Sequence, residues 1–125
     1  TPTFDTASKG AILGLTFKED VPDLRNTRVV DIIAELRDYG VEVRVHDPLA
    51  DAAEAQAHYG LDLQSWEDMA GLDAVVVAVA HGAYRDRGLA AVLDLCRGER
   101  PLLMDLKGVY DRGEVDARHG IYWRL

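Results

Sequence analysis

Short apolar runs of strand length alternate with longer stretches whose apolar residues recur at helical spacing, the pattern of a parallel α/β sheet. The strand-length runs cover 9–15, 41–45, 74–80, 102–106 and 121–125, with a short candidate at 61–63. The run at 74–80 is apolar throughout, which predicts a central strand buried on both faces. By contrast, Val41-Glu42-Val43-Arg44-Val45 alternates strictly, as a strand near a sheet edge does. Pro101 opens the fourth run, where a missing N–H is tolerated.

Between these runs the spacing lengthens. Val29, Ile32, Ile33 and Leu36 share one helical face, with Arg28, Asp31, Glu35 and Asp38 mostly opposite. Asn26 or Thr27 can cap this helix and Gly40 can end it. Asp51 followed by Glu54 opens a second, Ala-rich helix that stops at Gly60. Ser65 and Asp68 bracket a helical turn around Trp66, and Leu89, Val92, Leu93 and Cys96 fall at helical spacing. A short helical turn is expected near 114–118. The reading is one α/β domain, a Rossmann-like three-layer sandwich with a mostly parallel sheet of five to six strands.

Bulk properties narrow the function. A chain of 125 residues builds one core without disulfides, and the lone Cys96 suits a reducing, cytoplasmic setting. No apolar run reaches membrane-spanning length, so no membrane partner is expected. A net charge of −8 leaves no basic face for nucleic acid. It does not forbid a small anion, because bulk charge is screened over roughly 8–10 Å and local cations decide. The first residues, 1–8, read as a linker from a preceding part, and 9–125 as the domain.

The candidate chemistry gathers in one loop. Gly14-Leu15-Thr16-Phe17-Lys18-Glu19-Asp20-Val21-Pro22-Asp23-Leu24-Arg25-Asn26-Thr27 joins the first strand to the first helix. Such a junction presents unpaired backbone N–H groups and the positive end of a helix dipole. With Gly14 only at its entry, the loop is no glycine-rich phosphate wrap; an anion would be held through Lys18, Arg25 and the helix start. Lys18 and Arg25 are equally readable as solvated loop charges. Phe17 either roofs the core or packs against a base or ribose.

Elsewhere the plainer readings lead. Asp47 stands where dinucleotide folds keep a ribose-binding acid, but without the glycine fingerprint it reads as an Asp-Pro turn residue. His46 and His81 end strands with no evident orienting partner, and Cys96 reads as a small core residue. No His, Cys and acid spacing matches a metal site. Lys107 projects towards the same strand-end edge as Lys18.

The loop as a whole resembles the hallmark of the UDP-glucose/GDP-mannose dehydrogenase family, in its C-terminal, UDP-binding domain. Val-Val-Asp-Ile-Ile-Ala-Glu-Leu (29–36), Val-His-Asp-Pro (45–48), Val-Ala-His (79–81) and Met-Asp-Leu-Lys-Gly-Val-Tyr (104–110) continue the resemblance in order. The Asp-Val-Pro-Asp-Leu-Arg-Asn form and Lys107 look most like the branch oxidising UDP-N-acetyl-hexosamines, whose products enter surface polysaccharides.

The resemblance implies roles. Phe17 and Lys18 match the family's substrate-contacting Phe-Lys pair, and Arg25 its arginine directed at the NAD cofactor. Lys107 stands where UDP-glucose enzymes carry a substrate-binding arginine, so the planar bidentate fork is lost. The implied reaction is a two-step, four-electron oxidation of a sugar C6 alcohol to a carboxylate, consuming two NAD+.

The implied partners are a UDP-sugar and the N-terminal NAD-binding and central domains of the same polypeptide, in a homo-oligomer. The catalytic cysteine belongs to the part before this domain, so no catalytic residue is expected in the chain and it is expected to be inactive alone. A free-standing nucleotide-binding or regulatory module is the competing reading. A receiver-like signalling domain would need an acidic pocket at the strand ends, which a cationic first loop opposes.

Overall fold

The structure, a computed structural model, describes residues 8–124. Most of the linker expected over 1–8, and Leu125 of the last strand, therefore lie outside the described residues. Five strands form one sheet: β1 (Lys9–Leu13), β2 (Glu42–His46), β3 (Ala74–Val77), β4 (Leu102–Asp105) and β5 (Ile121–Arg124). Their order is β2-β1-β3-β4-β5 and every pairing is parallel. The five-strand alternative was thus the right one, and the all-apolar β3 is central and buried along its length. The alternating β2 is an edge strand, as its pattern implied. The candidate at 61–63 makes only a parallel bridge from Leu63 to Val45 on that edge.

Helices α1 (Val29–Asp38) and α2 (Ala52–Tyr59) cover one face of the sheet, meeting Ile12, Val45 and Val76. Helices α3 (Gly82–Arg87), α4 (Leu89–Leu93) and α5 (Arg112–Ala117) lie with the 3-10 turn Trp66–Asp68 against Ala11, Leu13, Val75, Val77, Leu103 and Tyr122. Successive strand residues point to opposite faces, so each strand feeds both layers. The expected three-layer sandwich follows.

Local signals explain some helix ends. Asp51 accepts a hydrogen bond from the Glu54 N–H at 2.9 Å, and Gly60 closes α2 in the left-handed region at φ +65°. At α1 the cap differs from expectation: Arg28 occupies the cap position, while Thr27 Oγ1 accepts from the Val29 N–H at 3.2 Å. Cys96 lies beyond the end of α4 rather than on its face, in a bridge with Leu72, and packs against the α3–α5 core as a half-buried residue.

Candidate functional site

The chain leaves β1 towards β2 on one side and β3 on the other, so the strand order reverses between β1 and β3. A crevice opens at the carboxyl ends of strands at such a switch point. Here it is shaped by a close crossing. Gly14 follows β1 with φ +100°, donating to the His46 carbonyl at 2.8 Å, and lies flat against Val79.

A buried polar network then anchors the loop beyond Gly14. Asp47, ending β2, uses Oδ2 to accept from the N–H groups of Leu15 (2.7 Å) and Thr16 (3.0 Å). Its Oδ1 accepts from Leu49 and Ala50, which makes the Asp-Pro turn expected of it. His81, fully buried, brings Nε2 to 2.9 Å from Asp47 Oδ2 and 3.0 Å from Thr16 Oγ1. The His81 Nδ1 accepts the Asp20 N–H at 2.9 Å, which leaves the imidazole proton on Nε2 to donate towards Asp47. Burial alone would raise the Asp47 pKa; the donors from His81, Leu15, Thr16 and Leu49 outweigh it and hold the carboxyl at about 2. Asp47 and His81 therefore have each other as the orienting partners that the sequence left unassigned.

A second network fixes the loop after β4. Asp105, fully buried, accepts from the N–H groups of Val109 (2.9 Å) and Tyr110 (2.8 Å) and from the Tyr122 hydroxyl (2.8 Å). Tyr110 in turn donates to the Tyr84 carbonyl at 2.7 Å, and the Tyr84 hydroxyl donates to the His46 carbonyl at 2.9 Å. His46 Nδ1 lies 3.0 Å from that hydroxyl, and burial lowers the pKa of its ring. His46 is thus a packed structural residue, set edge-on against Trp66. The turn after Asp105 leaves Lys107 exposed at the crevice.

The two anchored loops enclose a cleft of about 280 Å³. Phe17 and Lys18 line it together with Lys107, which is far from them in sequence. Arg28 joins them from the start of α1 and was missed by the sequence reading. Its signal was its place one residue after Thr27, where a helix N-terminus opens. Three cations thus face one acid, Glu19, and Phe17 keeps 53% of its surface exposed beside them. The arrangement suits a flat ring joined to an anion.

Arg25 is not among the cleft residues. It makes a bidentate pair with Asp23, Nε to Oδ1 and Nη2 to Oδ2 both at 3.0 Å, in which each raises the other's preference for its charged form. Its side chain is 82% exposed to solvent. A wider groove of about 800 Å³, lined by Glu99, Arg100, Asp116, His119 and Gly120, sits at the opposite edge of the sheet. Among the described residues its lining has mixed charges and no Phe, Tyr or Trp, unlike the switch-point cleft. Among the described residues, no group of His, Cys, Asp and Glu is placed to hold a metal ion.

Comparison with known proteins gives the family and the fold. Residues 11–112 match the UDP-glucose/GDP-mannose dehydrogenase family, UDP binding domain. The chain belongs to that family. This UDP binding domain is 39% identical over 107 residues to a UDP-N-acetyl-D-glucosamine 6-dehydrogenase of Pseudomonas aeruginosa, covering 86% of the chain and 25% of the relative. It is 40% identical over 114 residues to the protein CapL of Staphylococcus aureus, covering 91% and 26%. Among solved structures, an NDP-N-acetyl-D-galactosaminuronic acid dehydrogenase from Methanosarcina mazei Go1 superposes with a TM-score of 0.83 at 26% identity, covering 94% of this chain and 24% of that one. The chain spans about a quarter of the length of the curated relatives it matches. Among the described residues no helix is long and apolar enough to cross a membrane.

Proposed function

We propose that the chain is the nucleotide-sugar-binding part of an NAD-dependent UDP-sugar 6-dehydrogenase acting on UDP-N-acetyl-hexosamines. The supporting observation is the convergence of Phe17, Lys18, Arg28 and Lys107 on one switch-point cleft. The Phe17 ring offers a face to uracil or ribose, and the cations neutralise the diphosphate. Lys107 contacts the substrate as a point charge, without the fork an arginine would provide. The sugar C6 reacts in the remainder of the longer protein, so the chain alone oxidises nothing. The intact protein is a cytoplasmic homo-oligomer, and its other domains are this domain's partners.

Among the described residues, the positions that a dinucleotide fold would use for NAD are committed to structural contacts. Gly14 is committed to its crossing with Val79, and Asp47, the position of a ribose-binding acid, is buried under N–H donors. NAD is therefore held elsewhere in the protein, and Arg25 contributes one cation towards it across the domain boundary.

Calorimetric titration with UDP tests the reading. Saturable binding is expected, weakening with salt and falling roughly tenfold in Lys18→Ala and in Lys107→Ala, the usual scale for one charge-assisted contact. Equal affinity for UDP and uridine would contradict it, because the cations would then have no diphosphate to hold. Assays of the full-length protein with NAD+ against a panel of UDP-sugars decide the sugar.

A further inference from the structure

Phe17, Lys18 and Glu19 form a three-residue bridge, and both of its ends are fastened to a single side chain. Thr16 on one side meets His81 Nε2 through its hydroxyl at 3.0 Å. Asp20 on the other gives its N–H to His81 Nδ1 at 2.9 Å. Asp20 holds a left-handed backbone at φ +59°, which a non-glycine residue keeps only when its surroundings fix it. Its carboxylate reaches back to the Gly82 N–H at 2.8 Å, next to His81. The Thr16 hydroxyl also donates to the Lys18 carbonyl at 3.2 Å, inside the bridge.

We infer that His81 is a positioning residue for the nucleotide site: its Nδ1, as an unprotonated acceptor, sets the 16–20 loop in the form that presents Phe17 and Lys18 to the cleft. This inference rests on the proposed function for its ligand and goes beyond it in assigning a role to a residue that lines no part of the cleft. The two ring nitrogens do different work. Nε2–H faces Asp47 and the Thr16 hydroxyl and ties β3's end to β2's end, which is chiefly a matter of stability, because Thr16 is also held through its own N–H to Asp47. Nδ1 ties the loop, which is a matter of binding. Asp47 already receives the Leu15 and Thr16 N–H groups, so it keeps partners if Nε2 is lost. Among the described residues the Asp20 N–H has no other acceptor.

Two substitutions separate these roles. In His81→Asn the amide oxygen stands near the Nδ1 position and the contacts to Asp47 and the Thr16 hydroxyl are lost, while the Thr16 N–H keeps Asp47. In His81→Gln the amide nitrogen reaches the Nε2 position and the acceptor for Asp20 is lost. His81→Gln is expected to weaken UDP binding roughly tenfold, the scale of one lost buried hydrogen bond, and to speed exchange of the Asp20 amide proton. His81→Asn is expected to keep UDP affinity within about threefold and the Asp20 amide protected, while melting earlier. A merely structural histidine would lower stability in both variants and leave the affinity of the folded protein unchanged in both; that result overturns the inference.

Two readouts on the unmodified protein stand independently of UDP. Long-range proton–nitrogen spectra are expected to show His81 Nδ1 bare and Nε2 protonated, with a slowly exchanging Asp20 amide. A protonated Nδ1, or a freely exchanging Asp20 amide, overturns the inference even if neither variant folds. Should wild type fail to bind UDP while these readouts hold, it is the functional reading that fails and the loop anchor that stands.

Discussion

Gly14 lies so close to Val79 that a Cβ at position 14 would stand 2.6 Å from the Val79 Cβ and 2.8 Å from its backbone nitrogen. The contact brings together the loops after β1 and β3, both of which line the cleft, Val79 among their residues. Gly14→Ala would meet both this clash and a φ of +100°. A loss of about 3 kcal/mol is expected, because the opposing atoms include backbone and cannot swing aside. Urea unfolding measures it, and a loss under about 1 kcal/mol would show that the crossing is looser than described.

The helices show what was readable from local sequence and what was not. Asp51, Glu54 and Gly60 announce α2 because its cap and stop lie within its own residues. Helix α3 sent no such signal: His81 at its cap position makes no side-chain cap, and the Gly82 N–H is taken by Asp20 from a loop 62 residues away. The cleft divides the same way. Phe17, Lys18 and Lys107 were legible as residues at strand ends, since a parallel sheet puts those ends on one edge. The His81–Asp47 pair was not, because it forms only once β2 and β3 flank β1.

Acid should undo the Asp47 network in a defined window. The folded carboxyl is held at about 2, below its ordinary value of 3.8, so its stabilisation is complete above the unfolded pKa and is lost as pH falls through the folded one. The difference corresponds to about 2 kcal/mol, lost between about pH 5 and pH 2. Urea unfolding across that range, compared between wild type and Asp47→Asn, isolates it. The variant should be less stable at neutral pH and should lose about 2 kcal/mol less on acidification. Parallel curves would assign the acid sensitivity to other carboxylates.

Cys96 is expected to be chemically quiet. Burial pushes its thiol up to about 11, and it packs with the core beneath α4. At pH 8 a thiol reagent should modify the folded chain roughly a hundredfold more slowly than the urea-unfolded chain, following the scarcity of thiolate. Equal rates would mean that the 93–97 segment opens freely.

On the proposed function, the crevice between β1 and β3, and no other surface, takes the nucleotide. Titrating UDP into the nitrogen-15-labelled chain and following the amide resonances tests it most directly. Saturable shifts are expected at Thr16, Phe17, Lys18, Arg28, Val79 and Lys107, abolished together in Lys18→Ala with Lys107→Ala. Shifts centred instead on Glu99, Asp116 and His119, or none at all, would contradict it.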